Sequence, residues 1–137
     1  MGQKLPDDFI LQYRERVKIL FANELKAMPG AHEMLTNLPY KRCIASSGPI
    51  SKIKHALAIT DLARFFGDNL FSSYQINSWK PEPDLFLHAA QQMGFKPENC
   101  IVIEDSDVGI TAAQNADMKV IAFDQYGDRH TSASYPT

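Results

Sequence analysis

Hydrophobic and polar positions along the chain follow two different periods, one typical of helices and one typical of short buried strands. Apolar residues at helical spacing predict helices over residues 9–25, 32–38, 50–59, 61–66, 85–93 and 108–116. Short apolar runs predict strands over residues 42–45, 70–73, 100–103 and 119–123. Because helices and strands alternate, the pattern favours an α/β fold with a parallel, doubly wound sheet of about four strands flanked by helices.

The first predicted helix carries an apolar stripe that is expected to pack against other parts of the protein. Its members recur at helical spacing and are Ile10, Tyr13, Val17, Leu20 and Phe21. The opposite side of this helix is charged, which is typical of a face in contact with water. Residues 125–137 are polar and rich in turn formers, so we predict a mobile tail there.

Composition narrows the classes of protein without indicating a function. The 137 residues are enough for one domain with a core, and the net charge of −2 gives no reason to expect nucleic acid or a membrane as partner. The two cysteines are expected to be buried thiols in a reducing cytoplasm. We find no signal peptide, no membrane-spanning run, no nucleotide-binding glycine motif and no zinc-like spacing of histidines.

Three polar segments follow or flank the predicted strands, where ligands bind in parallel sheets. Ser46-Ser47-Gly48 precedes a helix and offers a hydroxyl and backbone N–H groups to an anion. Lys80 lies on a Pro-Glu-Pro bend, and Glu104 with Asp105 offers oxygen ligands suited to Mg²⁺. Each segment alone also has an ordinary explanation, because the serines and carboxylates could cap helices and the lysine could be a solvated side chain.

The three segments together resemble the haloacid dehalogenase (HAD) superfamily, and within it the β-phosphoglucomutase-like phosphatases of sugar phosphates, such as 6-phosphogluconate phosphatases. The resemblance covers residues 9–124 and depends on the motifs CIASSGP, WKPEPDLF and IVIEDSDVG. It implies a Rossmann-like core, Mg²⁺ as cofactor and a small phosphorylated metabolite or inorganic phosphate as ligand. It also implies that the helix over residues 9–25 corresponds to the last helix of the family's cap domain.

The resemblance assigns a role to each candidate residue. Ser46, Ser47 and Gly48 correspond to the phosphate-binding turn. Lys80 corresponds to the catalytic lysine that neutralises the phosphoryl group, and Glu104 with Asp105 corresponds to the acidic pair that holds Mg²⁺. On this basis we expect a remnant cap helix and linker over residues 1–28 and a partial HAD-like core over residues 29–124.

The sequence departs from the family pattern because no Asp-x-Asp strand precedes Ser46. In the family the first aspartate of that motif is the nucleophile and the second is the general acid and base. Asp105-Ser106-Asp107 has the same spacing, but its surroundings match the acidic-pair motif instead. We therefore expect a truncated domain that is inactive alone. Two alternatives are a phosphate-binding or regulatory module, and an active phosphatase completed by another chain.

In the family fold the nucleophile strand lies between the strands predicted here at residues 42–45 and 100–103. Because a central strand cannot be removed without leaving unpaired backbone groups, we expect these two strands to pair directly. The rearrangement would leave apolar surface exposed, and we expect a homodimer with the N-terminal helix in its interface.

Overall fold

The structure is a computed structural model that describes residues 4–125 and 127. The helices within these residues are α1 (Phe9–Glu24), α2 (Ala31–Asn37), α3 (Ile50–Ile59), α4 (Ala63–Phe66), α5 (Ser73–Ile76), α6 (Asp84–Met93) and α7 (Asp107–Asn115). The strands are β1 (Ile44–Ser46), β2 (Leu70–Ser72), β3 (Ile101–Glu104) and β4 (Lys119–Ala122). The predicted helices and strands are thus confirmed, with ends that differ by no more than about two residues, and α5 is an addition to them.

The chain forms two compact units by its internal contacts. The first comprises residues 1–40 and 54–65, and the second comprises residues 41–53 and 66–137. The predicted boundary at residue 28 and the predicted roles of its two sides stay predictions. Most of the predicted tail, residues 126 and 128–137, lies outside the described residues.

The first unit contains α1, whose apolar stripe is more exposed than the sequence pattern suggests. Ile10 is 64% exposed, Tyr13 is 61% exposed and Leu20 is 46% exposed. In the same unit, α2 is linked to the end of α3 by His32, whose ring nitrogen lies 3.2 Å from the carbonyl oxygen of Asp61. These three positions of the stripe therefore have the spacing of a packed face without being buried.

The second unit contains all four strands, and they form two separate parallel pairs. Residues of β1 and β2 pair in register from Ile44 with Leu70 to Ser46 with Ser72. Residues of β3 and β4 pair from Ile101 with Lys119 to Glu104 with Ala122. The α/β class and parallel strands are confirmed. The expectation of one sheet, closed by direct pairing of β1 with β3, was wrong for the described residues, since they form two two-stranded sheets.

Each pair of strands is packed on its own helix, and a side chain rather than a backbone ladder joins the two pairs. Helix α6 contacts β1 and β2, whereas α7 contacts β3 and β4. The amine of Lys80 contacts the carbonyl oxygen of Ala45 in β1 at 3.5 Å and the carboxylate of Glu104 in β3 at 2.6 Å. The lysine therefore lies between the strand ends where direct pairing was expected.

One apolar cluster lies under both pairs of strands. Its buried members from α6, α7 and the residues after α7 are Phe86, Ala90, Ala112, Ala113, Ala116 and Met118. Ala45 of β1, Val102 of β3 and Val120 of β4 pack against it. The cluster thus fixes the relative position of the strand ends that carry the candidate site.

Alternate residues of β3 and β4 face away from that cluster. Ile101, Ile103 and Ile121 are 62%, 55% and 55% exposed, so one face of this small sheet is apolar and uncovered in the described residues.

Cys43 and Cys100 are free thiols, as predicted, but they are half-buried rather than fully buried. Burial raises the pKa of both thiols, and the neighbouring Cys100 contributes to the shift at Cys43. In the described part of the chain, no helix has the length and hydropathy needed to cross a bilayer.

Candidate functional site

The loop that carries Lys80 is fixed at several points along its length. The backbone N–H of Glu82 donates to the carbonyl of Trp79 at 3.0 Å, which closes a turn around the lysine. The hydroxyl of Ser78 donates to the carboxylate of Asp84 at 2.6 Å, and the Asn115 amide donates to the carbonyl of Pro81 at 3.2 Å. The loop is therefore tied both to the first residue of α6 and to the last residue of α7.

The amine of Lys80 joins the ends of the two strand pairs. Its Nζ lies 2.6 Å from Oε2 of Glu104, the last residue of β3, and 3.5 Å from the carbonyl oxygen of Ala45 in β1. Only 11% of the lysine side chain and 10% of the glutamate side chain are exposed. Nζ also lies 5.0 Å from the ring centroid of Phe86, so the charge is held over an aromatic face.

The carboxylate of Glu104 accepts hydrogen bonds through both of its oxygens. Oε1 accepts from the backbone N–H of Asp105 at 3.1 Å and from the backbone N–H and hydroxyl of Ser106 at 3.3 and 3.1 Å. Burial raises the pKa of Glu104, but the hydrogen bond and charge of Lys80, together with the Asp105 and Ser106 bonds, outweigh burial and lower the pKa overall. The carboxylate is therefore held in its charged form.

The predicted phosphate-binding turn follows β1 and leads into α3. The N–H of Gly48 donates to the Oγ of Ser46 at 3.1 Å, and the carbonyl of Gly48 accepts from the Oγ of Ser72 at 2.7 Å. Ser72 is fully buried at the end of β2. The turn is thus fastened to the neighbouring strand, with Ser47 exposed beside it.

The structure brings part of the predicted site into direct contact. Lys80 touches Glu104, and its second contact is with the residue that precedes Ser46. Asp105 is exposed at the end of β3, and its N–H is bonded to Glu104. The roles of all six residues as phosphate or metal ligands stay predictions, since a contact among them does not identify a ligand.

The donor set around Glu104 fits a weakly held, largely hydrated Mg²⁺. Asp105 offers an exposed carboxylate, and Oε2 of Glu104 retains a lone pair beyond its bond to Lys80. Within residues 4–125 and 127, no three acidic, histidine or cysteine side chains converge as a metal cluster would. Two carboxylates are hard ligands of the right kind, and water or a further ligand must supply the remaining positions.

Two residues that position the site were missed in the sequence. Ser72 is followed three residues later by Gln75, and the two form a capping box at the start of α5. The Ser-x-x-Gln spacing is visible in the sequence and indicates a helix start at this point. Asn115 has no comparable signal, because its bond to Pro81 joins residues 34 positions apart.

The motifs and the geometry agree with what comparison with known proteins shows. A family model for haloacid dehalogenase-like hydrolases matches residues 2–117. The chain belongs to that family. It is 40% identical over 111 residues to 6-phosphogluconate phosphatase of Escherichia coli K12, an alignment that covers 81% of this chain and 50% of that protein.

Solved structures give the same result. A provisionally assigned β-phosphoglucomutase from Thermotoga maritima is 27% identical with a TM-score of 0.76, covering 88% of this chain and 57% of that one. A HAD family hydrolase from Deinococcus radiodurans, solved with bound phosphate and sodium, is 30% identical with a TM-score of 0.70, covering 84% and 52%. The predicted HAD family and its Rossmann-like α/β fold are therefore confirmed, and the relatives that the chain matches include the predicted sugar-phosphate phosphatases. The chain spans about half the length of the curated relatives it matches.

Proposed function

We propose that the second unit of this HAD-like chain binds the phosphate group of a phosphorylated sugar, as part of a Mg²⁺-dependent phosphatase site. The observation that carries the proposal is the contact between Lys80 and Glu104, with Nζ and Oε2 2.6 Å apart and both side chains about nine-tenths buried. Burial of the Lys80 charge costs free energy of folding, and apolar residues of similar volume would often stabilise the fold as well as the ion pair does. Stability alone therefore gives little reason for a lysine at this position. Binding of an anion would account for the presence of Lys80 at this buried position.

In this proposal different residues of the chain bind the phosphate oxygens, neutralise the phosphate charge and hold the metal ion. The hydroxyl of Ser46 and the backbone N–H groups of Ser47 and Gly48 bind phosphate oxygens, with the bond from Gly48 to Ser46 giving way to the ligand. Lys80 neutralises phosphate charge while Glu104 fixes the position of its amine. Glu104 and Asp105 would hold Mg²⁺, which supplies further charge neutralisation when bound.

A phosphate titration followed by two-dimensional NMR tests the binding. We expect the amides of Gly48 and Lys80 to shift in the wild type, and the dissociation constant to rise tenfold or more in Lys80→Ala. Lys119→Ala is the matched control, because Lys119 is an exposed lysine at the opposite end of β4 from Ala122. Since Lys80→Ala leaves Glu104 unpaired, Lys80→Met with Glu104→Gln gives a second test in an uncharged site. Equal shifts in the wild type and both Lys80 variants would refute the proposal.

We further infer that these 137 residues alone bind phosphate esters without turning them over. The sequence before Ser46 supplies no Asp-x-Asp pair, and hydrogen bonding and charge neutralisation without a nucleophile leave most of the barrier in place. A panel of sugar phosphates with Mg²⁺ should release no phosphate above background. Turnover on the order of 1 s⁻¹ that is abolished by Asp105→Asn would contradict this.

The same assay distinguishes the two alternative functions. A binding or regulatory module should show ligand affinity with no turnover under any condition, whereas a phosphatase completed by another chain should gain turnover when that chain is added.

We also propose that the protein is a homodimer with α1 in its interface, because this helix exposes several large apolar side chains.

A further inference from the structure

Two large exposed aromatic side chains belong to residues whose backbones are linked to the candidate phosphate site. Tyr74 is 63% exposed and Trp79 is 40% exposed. Their ring centroids are 5.4 Å apart with planes at 83°, an edge-to-face contact. Trp79 precedes the lysine, and its ring is not taken up by the core, so packing alone does not account for it.

The backbone of Tyr74 is linked to the phosphate-binding turn through Ser72. The hydroxyl of Ser72 donates to the carbonyl of Gly48 at 2.7 Å and accepts from the N–H of Tyr74 at 3.1 Å. One buried side chain therefore connects the aromatic residue to the turn, and Ser72 itself is paired with Ser46 in the strand register.

The backbone of Trp79 belongs to the turn that carries Lys80. Trp79 is the residue before Lys80, and its carbonyl accepts from Glu82 in the turn that surrounds the lysine. The backbones that carry the two rings are thus attached at one end to the Ser46–Gly48 turn and at the other to Lys80.

From this arrangement, and resting on the proposed function, we propose that Tyr74 and Trp79 form a platform for the sugar part of a phosphorylated sugar. The apolar C–H groups of the sugar lie against the aromatic faces, while the indole N–H and the phenol hydroxyl remain available to sugar hydroxyls. The pair sets a preference for sugar phosphates over inorganic phosphate and over small alkyl phosphates, because only a sugar extends far enough to cover both rings.

The chain offers a direct probe, since Trp79 is its only tryptophan. Glucose 6-phosphate is compared with methyl phosphate, which has the same phosphate monoester without the sugar. We expect glucose 6-phosphate to change the tryptophan fluorescence and to shift the indole N–H resonance. Methyl phosphate should shift the amide of Gly48 while leaving the indole nearly unchanged.

Variants separate the platform from the phosphate site. Trp79→Ala and Tyr74→Ala should each weaken glucose 6-phosphate binding roughly three- to tenfold and leave methyl phosphate binding unchanged. Trp79→Phe should restore most of the affinity because it keeps an aromatic face. Tyr40→Ala, which removes an exposed tyrosine of the other unit, serves as the control and should change neither affinity.

The outcomes distinguish this inference from the function on which it rests. If the wild type binds both esters and Trp79→Ala binds them with unchanged affinity, the platform is refuted while the phosphate site stands. If Trp79→Ala weakens both esters equally, the tryptophan acts on the phosphate site and the platform is also refuted. If the wild type binds neither ester, the proposed function itself fails and this inference fails with it.

Discussion

At the scale of single residues, Glu104 connects the strand end, the following helix and the lysine loop. Its Oε2 bonds to Lys80, and its Oε1 bonds to the backbone N–H groups of Asp105 and Ser106. Bonds to a charged acceptor are stronger than bonds between neutral groups, so this one carboxylate fixes several segments at once. Loss of its charge should therefore destabilise the whole second unit.

The lowered pKa of Glu104 predicts a specific dependence of stability on pH. Its folded-state pKa lies below the unfolded value of about 4.3. Its contribution to stability is therefore present above that value and is lost as the pH falls through the folded-state pKa. Urea unfolding of Glu104→Gln between pH 3 and 6 should show a shallower pH dependence than the wild type, by at most about 1.4 kcal/mol per pH unit, the value for one proton.

A surface substitution provides the control for this measurement. Glu98→Gln changes an exposed glutamate and should leave the wild-type pH dependence in place. Identical pH profiles for the wild type and Glu104→Gln would show that the carboxylate is not held in its charged form by Lys80.

The sequence predicts which residues approach this site but not how they are bonded. Ser46, Lys80 and Glu104 are each identifiable from the motif around them. The bond between Lys80 and Glu104 joins residues 24 positions apart, and no local pattern of polarity encodes such a pair. The exposure of Trp79 could not be predicted either, because the sequence of a loop does not show whether its aromatic side chain packs against the protein or faces water.

At the scale of secondary structure, the close fit of α7 against β3 depends on Gly109. A Cβ built at this position would overlap the side chain of Glu104. Helix propensity alone predicts that Gly109→Ala gains about 1 kcal/mol. We predict the opposite sign, a loss of about 1–3 kcal/mol in the free energy of unfolding, because the added methyl displaces the carboxylate from Lys80.

Chemical denaturation of Gly109→Ala decides between propensity and fit. Gly48→Ala is the matched glycine control, since a Cβ there would lie 3.5 Å from Ser46 Oγ and 3.6 Å from Lys52 Cδ, ordinary contact distances. Its stability should stay within about 0.5 kcal/mol of the wild type. A Gly109→Ala protein as stable as the wild type would mean that Glu104 can move aside at little cost.

The elements themselves were largely predictable because their signals are local. Helix α6 begins after Pro83 and ends before Gly94, which adopts a left-handed conformation, and both residues mark these boundaries in the sequence. The predicted strand over residues 42–45 starts two residues before β1 does and ends one residue before β1 does, and its end is early because the polar Ser46, which pairs with Ser72, was assigned to the turn. Helix α5 is only one turn long and was hidden by the strand predicted before it.

At the scale of the whole molecule, strand pairing could not be derived from the sequence. The pattern specifies four buried strands, but it does not specify their neighbours. Helices α6 and α7 each pack on their own pair of strands and both contribute to one apolar cluster. Direct pairing of β1 with β3 was a reasonable way to satisfy backbone groups, yet the contacts of Lys80 with Ala45 and Glu104 join these strand ends instead.

Surface exposure then predicts self-association through α1. Among the side chains of α1 that the structure describes, the large apolar ones that are at least 40% exposed are Phe9, Ile10, Leu11, Tyr13, Ile19 and Leu20. An exposed apolar surface of this kind is usually covered by a partner, and a symmetric dimer covers it with a second copy of the same surface. Light scattering at micromolar concentration should therefore give the mass of a dimer.

Charge substitutions on α1 test whether this helix forms the interface. Ile10→Lys combined with Leu20→Lys places charges within the apolar surface and should convert the dimer to a monomer, because each charge would have to be desolvated on association. Gln12→Lys adds a charge at a polar position of the same helix and should leave the dimer intact. A wild-type protein that is monomeric at micromolar concentration would refute the dimer, whereas a dimer that survives the double substitution would exclude α1 from its interface.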